Sequence, residues 1–356
     1  MPERRDPDFH TFASAWYEGK ALRLAENTRE DYRNTLTLHL LPFFAPYRLS
    51  EITAEAVDAY TRSKERERAA LIRAHEEQAK LPPEKRERLP KPLSNATINR
   101  TVKLLRVVME QACEYRHVPR NPAAGRARLL PQSKPSRGYL QPPQVAALLS
   151  AASELDANAR YGDTGRRRPL LATLTLAGLR ISEALDLRWR DVNLATGKVR
   201  VVAAKTDAGV RTVDLSPILQ ELLTQYRTRT RRAEPDDLVF GTSAGNRDNP
   251  SNVRNRFLKA AREIANEKLI EDGEEPIAHV TPHGLRRTFA SLLLASGADV
   301  PYAMAQLGHE NPQMTLGIYA KVIASMTDHG AALEGLVGAS EWALTGTNSD
   351  PVELDA

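Results

Sequence analysis

With 356 residues, 41% of them hydrophobic and 27% charged, the chain is long enough to bury more than one core, so two domains are the natural expectation. No apolar stretch approaches the roughly 18 residues that span a bilayer, and Met1-Pro2-Glu3-Arg4-Arg5-Asp6 lacks the apolar core of a signal peptide, which implies a cytoplasmic protein with no membrane partner. The single cysteine, Cys113, excludes an internal disulfide framework and a cysteine-based metal cluster.

Charge is unevenly placed. The formal net charge is +5, yet no lysine or arginine follows Lys321, and the last 35 residues hold six acids (Asp328, Glu334, Glu341, Asp350, Glu353, Asp355). Residues 1–321 therefore carry 50 basic against 39 acidic side chains, a net +11. A basic body with an acidic tail fits a polyanionic partner for the body alone, and it fits an ordinary cytosolic protein with a solvated tail.

Along the chain, Asn27 with Glu30 reads as a capping box that opens a helix with Tyr32, Leu36 and Leu40 on one face, ending near Pro42. Thr53 with Glu55 and Val57 opens another. About half of the residues from Ser63 to Pro92 are charged, which reads as a helix extension followed by a loop, ordinarily a solvated face. Ile98, Val102, Leu105, Met109 and Ala112 then recur at spacings of four and three, a packed stripe beside which Cys113 is expected to be an inert thiol. Asn99, Lys103 and Arg106 are placed on the opposite face, a row that suits phosphate and base contacts in a nucleic-acid groove or a plain wet surface. From Asn121 to Gln141 the chain is rich in Pro, Gly and basic residues, as a linker is.

Arg180 heads a helical pattern with Ile181, Ala184, Leu185 and Trp189 turned inward, where helix-end donors and a guanidinium could join on an anion; a surface pair with Glu183 or Asp186 is the plainer reading. Val199 to Ala204 and Val210 to Leu215 alternate like two strands of a hairpin, leaving Lys205 at its tip, a position usually solvated. Thr281 as N-cap and Pro282 at the first helical position open a helix in which His283 and Arg286 share a face. Asp299 opens a short helix that ends at Gly308 and delivers His309 at a turn; the segment from Asn311-Pro312 bears Tyr319.

Two arginines, two histidines and a late tyrosine suit phosphoryl chemistry. Arginine forks match phosphate oxygens and keep their charge, histidine passes protons near neutral pH, and tyrosine can form a covalent phosphoester. Together they could cut a phosphodiester without metal or cofactor. No Gly-x-x-x-x-Gly-Lys loop is present, which argues against an ATP-driven reaction.

In the order Arg180, Lys205, His283-Gly284-Leu285-Arg286, Leu307-Gly308-His309, Tyr319, the chain resembles the tyrosine recombinase (phage integrase) family. The likeness extends through Asn95 to Arg100, Arg120 to Ala123 and Tyr139 to Leu149, and covers roughly residues 8 to 337. The step from His309 to Tyr319 is ten residues where many members have nine; no other tyrosine follows His309, and the rival Tyr302 precedes it.

The resemblance implies a mainly α fold with a small antiparallel sheet. It implies a helical core-type DNA-binding domain over 8–125 with a charged insertion at 63–92, a linker at 126–137, a catalytic domain over 138–330 and an acidic tail at 331–356, the two domains closing as a C-shaped DNA clamp. It implies cutting and rejoining of double-stranded DNA through a 3′-phosphotyrosine at Tyr319, by a tetramer on DNA in the cytoplasm. Lys205 would be the general acid, His283 an acid/base, and Arg180, Arg286 and His309 the donors to the phosphate; Asn99, Lys103 and Arg106 would contact DNA. Accessory proteins, the target sequence and the role of residues 63–92 are not specified by it. A type IB topoisomerase-like enzyme and a catalytically silent DNA-binding protein are the alternatives.

Overall fold

Capping chemistry sets most helix starts. In the computed structural model, which describes residues 6–125, 128–132, 138–159, 165–202, 210–309, 311–313, 315–318 and 320, the Asp8 carboxylate accepts from the Thr11 backbone N–H at 2.8 Å and opens α1 (Phe9–Ala21). Helix α2 (Glu26–Thr35) begins at Glu26 without the side-chain cap expected of Asn27. Nor does it stop at Pro42. A π-helical turn, Leu36–Leu40, leads directly into α3 (Leu41–Phe44). The wider turn lets the chain continue past a residue that has no N–H to offer.

Thr53 caps α4 (Ala54–Lys80) through Ala56 N at 3.2 Å. Beyond Lys80 the charged segment folds back on the end of this helix, with Arg86 Nε donating to the Leu81 carbonyl at 2.9 Å and His75 Nε2 2.9 Å from the Pro90 carbonyl. Ser94 caps α5 (Asn95–Glu114). Its apolar stripe is buried as periodicity requires, against Phe9, Trp16, Leu36, Leu40, Phe44, Val57 and Tyr60. The Tyr60 hydroxyl donates to Thr101 Oγ1 at 2.7 Å inside this core, so that polar tip is paired.

Residues 1–135 form one unit and residues 136–356 a second. In the second, α6 (Pro142–Ala157), α7 (Arg167–Leu176) and α11 (Lys259–Glu271) share a large core with α8 (Ile181–Asp186) and α9 (Pro217–Arg229); α10 (Pro250–Asn252) and a π-helical segment (Val253–Leu258) lead into α11. A three-stranded antiparallel sheet, β1 (Val192–Asn193), β2 (Lys198–Val201) and β3 (Arg211–Asp214), lies in the order β1-β2-β3. Val199 is opposite Val192 on one side and Val213 on the other, and all three face the core. Two of the expected strands thus pair as a hairpin, shorter than the alternation over Val199–Ala204 and Val210–Leu215 implied, while residues 203–209, with Lys205, lie outside the described residues.

The chain continues into α12 (Pro282–Ala295) and α13 (Val300–Leu307). Thr281 Oγ1 accepts from Gly284 N at 3.0 Å, and the Asp299 carboxylate accepts from Tyr302 N at 2.6 Å, as the two caps predict. Gly308 closes α13 at φ +61°, the left-handed conformation that favours glycine at a helix end. The fold is mainly α with one small antiparallel sheet. Among the described residues no helix is long and apolar enough to cross a membrane.

Candidate active site

The site assembles where the α7–α8 turn, β3, α12 and the end of α13 meet. Gly178, at φ +62°, makes the turn before Arg180, and a Cβ there would run into the Phe289 ring of α12. This close approach brings α12 against the turn, and Arg286 spans it. Arg286 Nη1 donates to the Gly178 carbonyl at 2.5 Å and Nη2 to the Leu307 carbonyl. Its guanidinium is almost wholly buried. Burial first, then the neighbouring Arg180 and Arg211 cations, pull its pKa down to about 9, still high enough to keep the charge at neutral pH.

Arg180 sits at the N-cap of α8. Its backbone N–H donates to Glu183 Oε2 at 2.7 Å and its Nη1 to Oε1 at 2.6 Å, so the helix-end donor expected to face an anion is turned onto the helix's own side chain. Nη2 also donates to the Gly308 carbonyl at 3.2 Å, which places Arg180 beside the peptide that carries His309. Its side chain remains 44% exposed, the most accessible of the guanidiniums gathered on Glu183.

Glu183 is the hub. Its side chain is 2% exposed and meets Arg180, Arg211 at 3.1 and 2.9 Å, and Arg286 at 3.9 Å. Desolvation alone would raise its pKa; the Arg211 hydrogen bonds, the Arg180 backbone N–H and the two guanidiniums overcome it and hold the carboxyl at about 2. Arg211 also donates from Nε to the Gln306 carbonyl at 2.7 Å. Three successive carbonyls at the end of α13, those of Gln306, Leu307 and Gly308, thus each take a guanidinium. These are the orphan acceptors and the negative pole of a helix C-terminus, so cations gain most there.

His309 follows directly. Its Nδ1 lies 3.0 Å from Oγ1 of the buried Thr315. Burial, then the positive charges of Arg286, Arg180, His283 and Arg211, push its pKa down to about 4, so the imidazole is neutral at pH 7. His283 stands exposed at the first turn of α12, and its charge is among those His309 feels. Arg180, His283, Arg286 and His309 are therefore gathered in one place. Tyr319 and Lys205 lie outside the described residues. The rival Tyr302 is tied elsewhere: its hydroxyl donates to Asp214 Oδ2 at 2.9 Å, and burial and that acid raise its pKa. This is the wrong direction for a nucleophile.

In the first unit the expected row is partly broken. Lys103 and Arg106 are exposed, but Asn99 is 2% exposed and fully engaged, Oδ1 accepting from Leu130 N at 2.8 Å and Nδ2 donating to Leu130 O at 2.9 Å. The segment around 128–132 covers this stretch of α5, so Asn99 is a structural pin and not part of a wet face. Arg100, exposed and paired with Asp31 at 3.0 Å, lies on the solvent side instead.

Sequence reasoning missed Arg211 and saw Glu183 only as a surface partner for Arg180. Strand alternation held the signal: residue 211 shares the register of the buried Val213, and a charge on the core side of a strand must be paired. Among the described residues no group of three His, Cys, Asp or Glu side chains is placed to hold a metal.

The chain thus joins a helical unit to a mixed unit in which Arg180, Arg211 and Arg286 gather beside His309. Residues 139–325, more than half the chain, match the model of the phage integrase family, and residues 8–63 match that of the phage integrase N-terminal SAM-like domain; the chain belongs to the phage integrase family. The tyrosine recombinase XerC of Pelobacter propionicus is 31% identical over 206 residues, 56% of this chain and 63% of that one, so the chain spans under two thirds of that relative's length. In fold it is similar to the Tn1549 transposon integrase in complex with transposon right-end DNA (TM-score 0.67, 16% identity, 94% of this chain and 99% of that one). It is similar too to a lambda integrase tetramer bound to a Holliday junction (TM-score 0.63, 14% identity, 87% and 80%).

Proposed function

We propose that the chain is a site-specific DNA recombinase that cuts and rejoins strands through a 3′-phosphotyrosine. The observation that carries this reading is the convergence of Arg180, Arg286 and a neutral His309 at the end of α13, in a chain of the phage integrase family. The Tyr319 phenol attacks the phosphorus, the Tyr319 Oη–P bond forms and the P–O5′ bond breaks. The phenolic proton passes to His283, and Lys205 protonates the departing 5′ oxygen. Arg180, Arg286 and His309 donate to the non-bridging oxygens, where each lost donor costs on the order of 10²- to 10³-fold in rate. A 5′ hydroxyl from another strand then reverses the steps, so no external energy source, cofactor or metal is required.

Residues 8–125 are assigned as the core-type DNA-binding domain, 126–137 as a linker, 138–330 as the catalytic domain and 331–356 as an acidic tail. The matches over 8–63 and 139–325 support this partition. Double-stranded DNA is the substrate, and exchange uses four protomers on two duplexes, as the lambda assembly on a Holliday junction suggests. The enzyme works in the cytoplasm, on the nucleoid.

A nicked suicide substrate tests the reading. The wild-type protein is expected to form a denaturant-resistant adduct through a DNA 3′ phosphate, and Tyr319→Phe is expected to form none. An adduct that survives Tyr319→Phe and disappears with Tyr302→Phe would move the nucleophile. Relaxation of supercoils without recombinant junctions would favour a topoisomerase, and sequence-specific binding with no adduct a silent DNA-binding protein.

A further inference from the structure

We propose that Arg211 is a positioning residue of the reaction: it holds Glu183 in place and locks the end of α13, and through both it fixes Arg180 and His309. The inference rests on the recombinase reading above and goes beyond it, since Arg211 would touch neither the phosphate nor the nucleophile.

Contacts to two separate elements place Arg211 in this role. Its guanidinium fork spans both oxygens of Glu183, at 3.1 and 2.9 Å. The same side chain reaches the Gln306 carbonyl from Nε at 2.7 Å. A planar five-donor group can satisfy both at once, whereas a lysine ammonium could not hold that geometry. The side chain is 6% exposed, so this charge is not solvated and spent on water.

The charges facing Glu183 are Arg180 on its own helix, Arg211 from β3 and Arg286 from α12. Of these Arg211 alone spans both oxygens with its guanidinium, whereas Arg180 reaches them with one Nη and its backbone N–H. Arg180 is partly exposed and Arg286 stands at 3.9 Å. Without Arg211, burial of Glu183 favours its protonated form. A neutral Glu183 would hold Arg180 less firmly, and Arg180 shares with Arg211 the clamp on Gly308 and Gln306. The Gln306 end is further fixed to β3, its side chain accepting from Asp214 N at 2.9 Å and donating to Asp214 Oδ2 at 3.1 Å. Loss of the Arg211 bond would leave α13 tethered to the strand while its last turn and His309 were free to shift.

The test is single-turnover cleavage of a suicide substrate against pH, with DNA affinity measured in parallel. Wild-type protein must first form the adduct; if it forms none, the recombinase reading fails and Arg211 is not at issue. Given a working wild type, Arg211→Met is expected to bind DNA within about twofold of wild type and to cleave about 10- to 100-fold more slowly. Its rate should fall more steeply than wild type's below pH 6, beyond any acid limb that the His283 base gives both proteins, and Glu183→Gln/Arg211→Met should lack that extra loss. Arg211→Lys keeps the charge and loses the fork: slower cleavage with the wild-type pH profile. Arg211→Met that cleaves like wild type, or that slows with the wild-type pH profile, overturns the inference. If Arg211→Met does not fold, Arg211→Lys decides, and wild-type cleavage by that variant overturns it equally.

Discussion

Two sets of cations, one in each unit, are used in opposite ways. On α5 of the first unit, Lys103 and Arg106 stand in solvent and neither pairs with an acid among the described residues. In the second unit Arg211 and Arg286 are buried, bonded to a shared carboxylate and to helix-end carbonyls. Exposed cations act through long-range attraction, which salt screens. Buried ones act through geometry, and removing one partner strands the other. Substitutions in the two regions should therefore be read in different assays, and three experiments would sharpen or break that contrast.

The largest effect is expected at Glu183. Its folded pKa of about 2 lies below the ordinary glutamate value of 4.5, so the group contributes stability that is fully present above the unfolded pKa and is lost as pH falls toward 2. The size is about 3 kcal/mol at neutral pH, with about 2 kcal/mol of it gone by pH 3. Glu183→Gln should remove this contribution and leave Arg211 and Arg286 without their counter-charge. Urea unfolding at pH 7 and pH 3 would measure it: the gap between wild type and variant should narrow at the lower pH. A gap that stays constant would show the carboxylate to be no more than a hydrogen-bond acceptor.

A middle effect is expected at Asn99, the residue that looks as if it belongs to the first pattern and belongs to the second. Asn99→Ala deletes both hydrogen bonds to Leu130 and leaves that residue's part-buried backbone N–H and carbonyl unpaired. The cost should be about 2 kcal/mol in stability. DNA affinity of the protein that remains folded should keep its wild-type salt slope. A changed slope at unchanged stability would return Asn99 to the surface row.

What the sequence made legible was local. Thr53, Thr281 and Asp299 announced their helices because a cap acts within three residues. The α5 stripe was legible because burial repeats with the helix. The pairing of β2 with β3 was legible in alternation, though not its register. What stayed hidden depends on segments far apart in the chain: Leu130 covers Asn99 from 31 residues away, Arg211 meets Glu183 from 28, and Arg286 meets Leu307 from 21. Pro42 misled for another reason, since a π-turn lets the helix pass a residue that usually stops one. The motif residues Arg180, His283, Arg286 and His309 were found by type and order, and geometry adds what holds Arg180, Arg286 and His309.

The smallest effect on folding, and the clearest on binding, belongs to Lys103 and Arg106. Both point to water from a helix whose opposite face is fixed by Ile98, Val102, Leu105 and Met109, so neither contributes a packed contact. Lys103→Ala with Arg106→Ala should change stability by less than about 0.5 kcal/mol. If each neutralises one phosphate, the double variant should lower the slope of log affinity against log salt by about 2, because each phosphate contact releases roughly one counterion. The loss should be nearly uniform across DNA sequences, since a phosphate carries no base identity. Gel shifts at several salt concentrations would measure it. An unchanged slope would assign this face of α5 to bulk solvent and confine DNA contact to other surfaces; a fall in stability with an unchanged slope would overturn the contrast between exposed and buried cations itself.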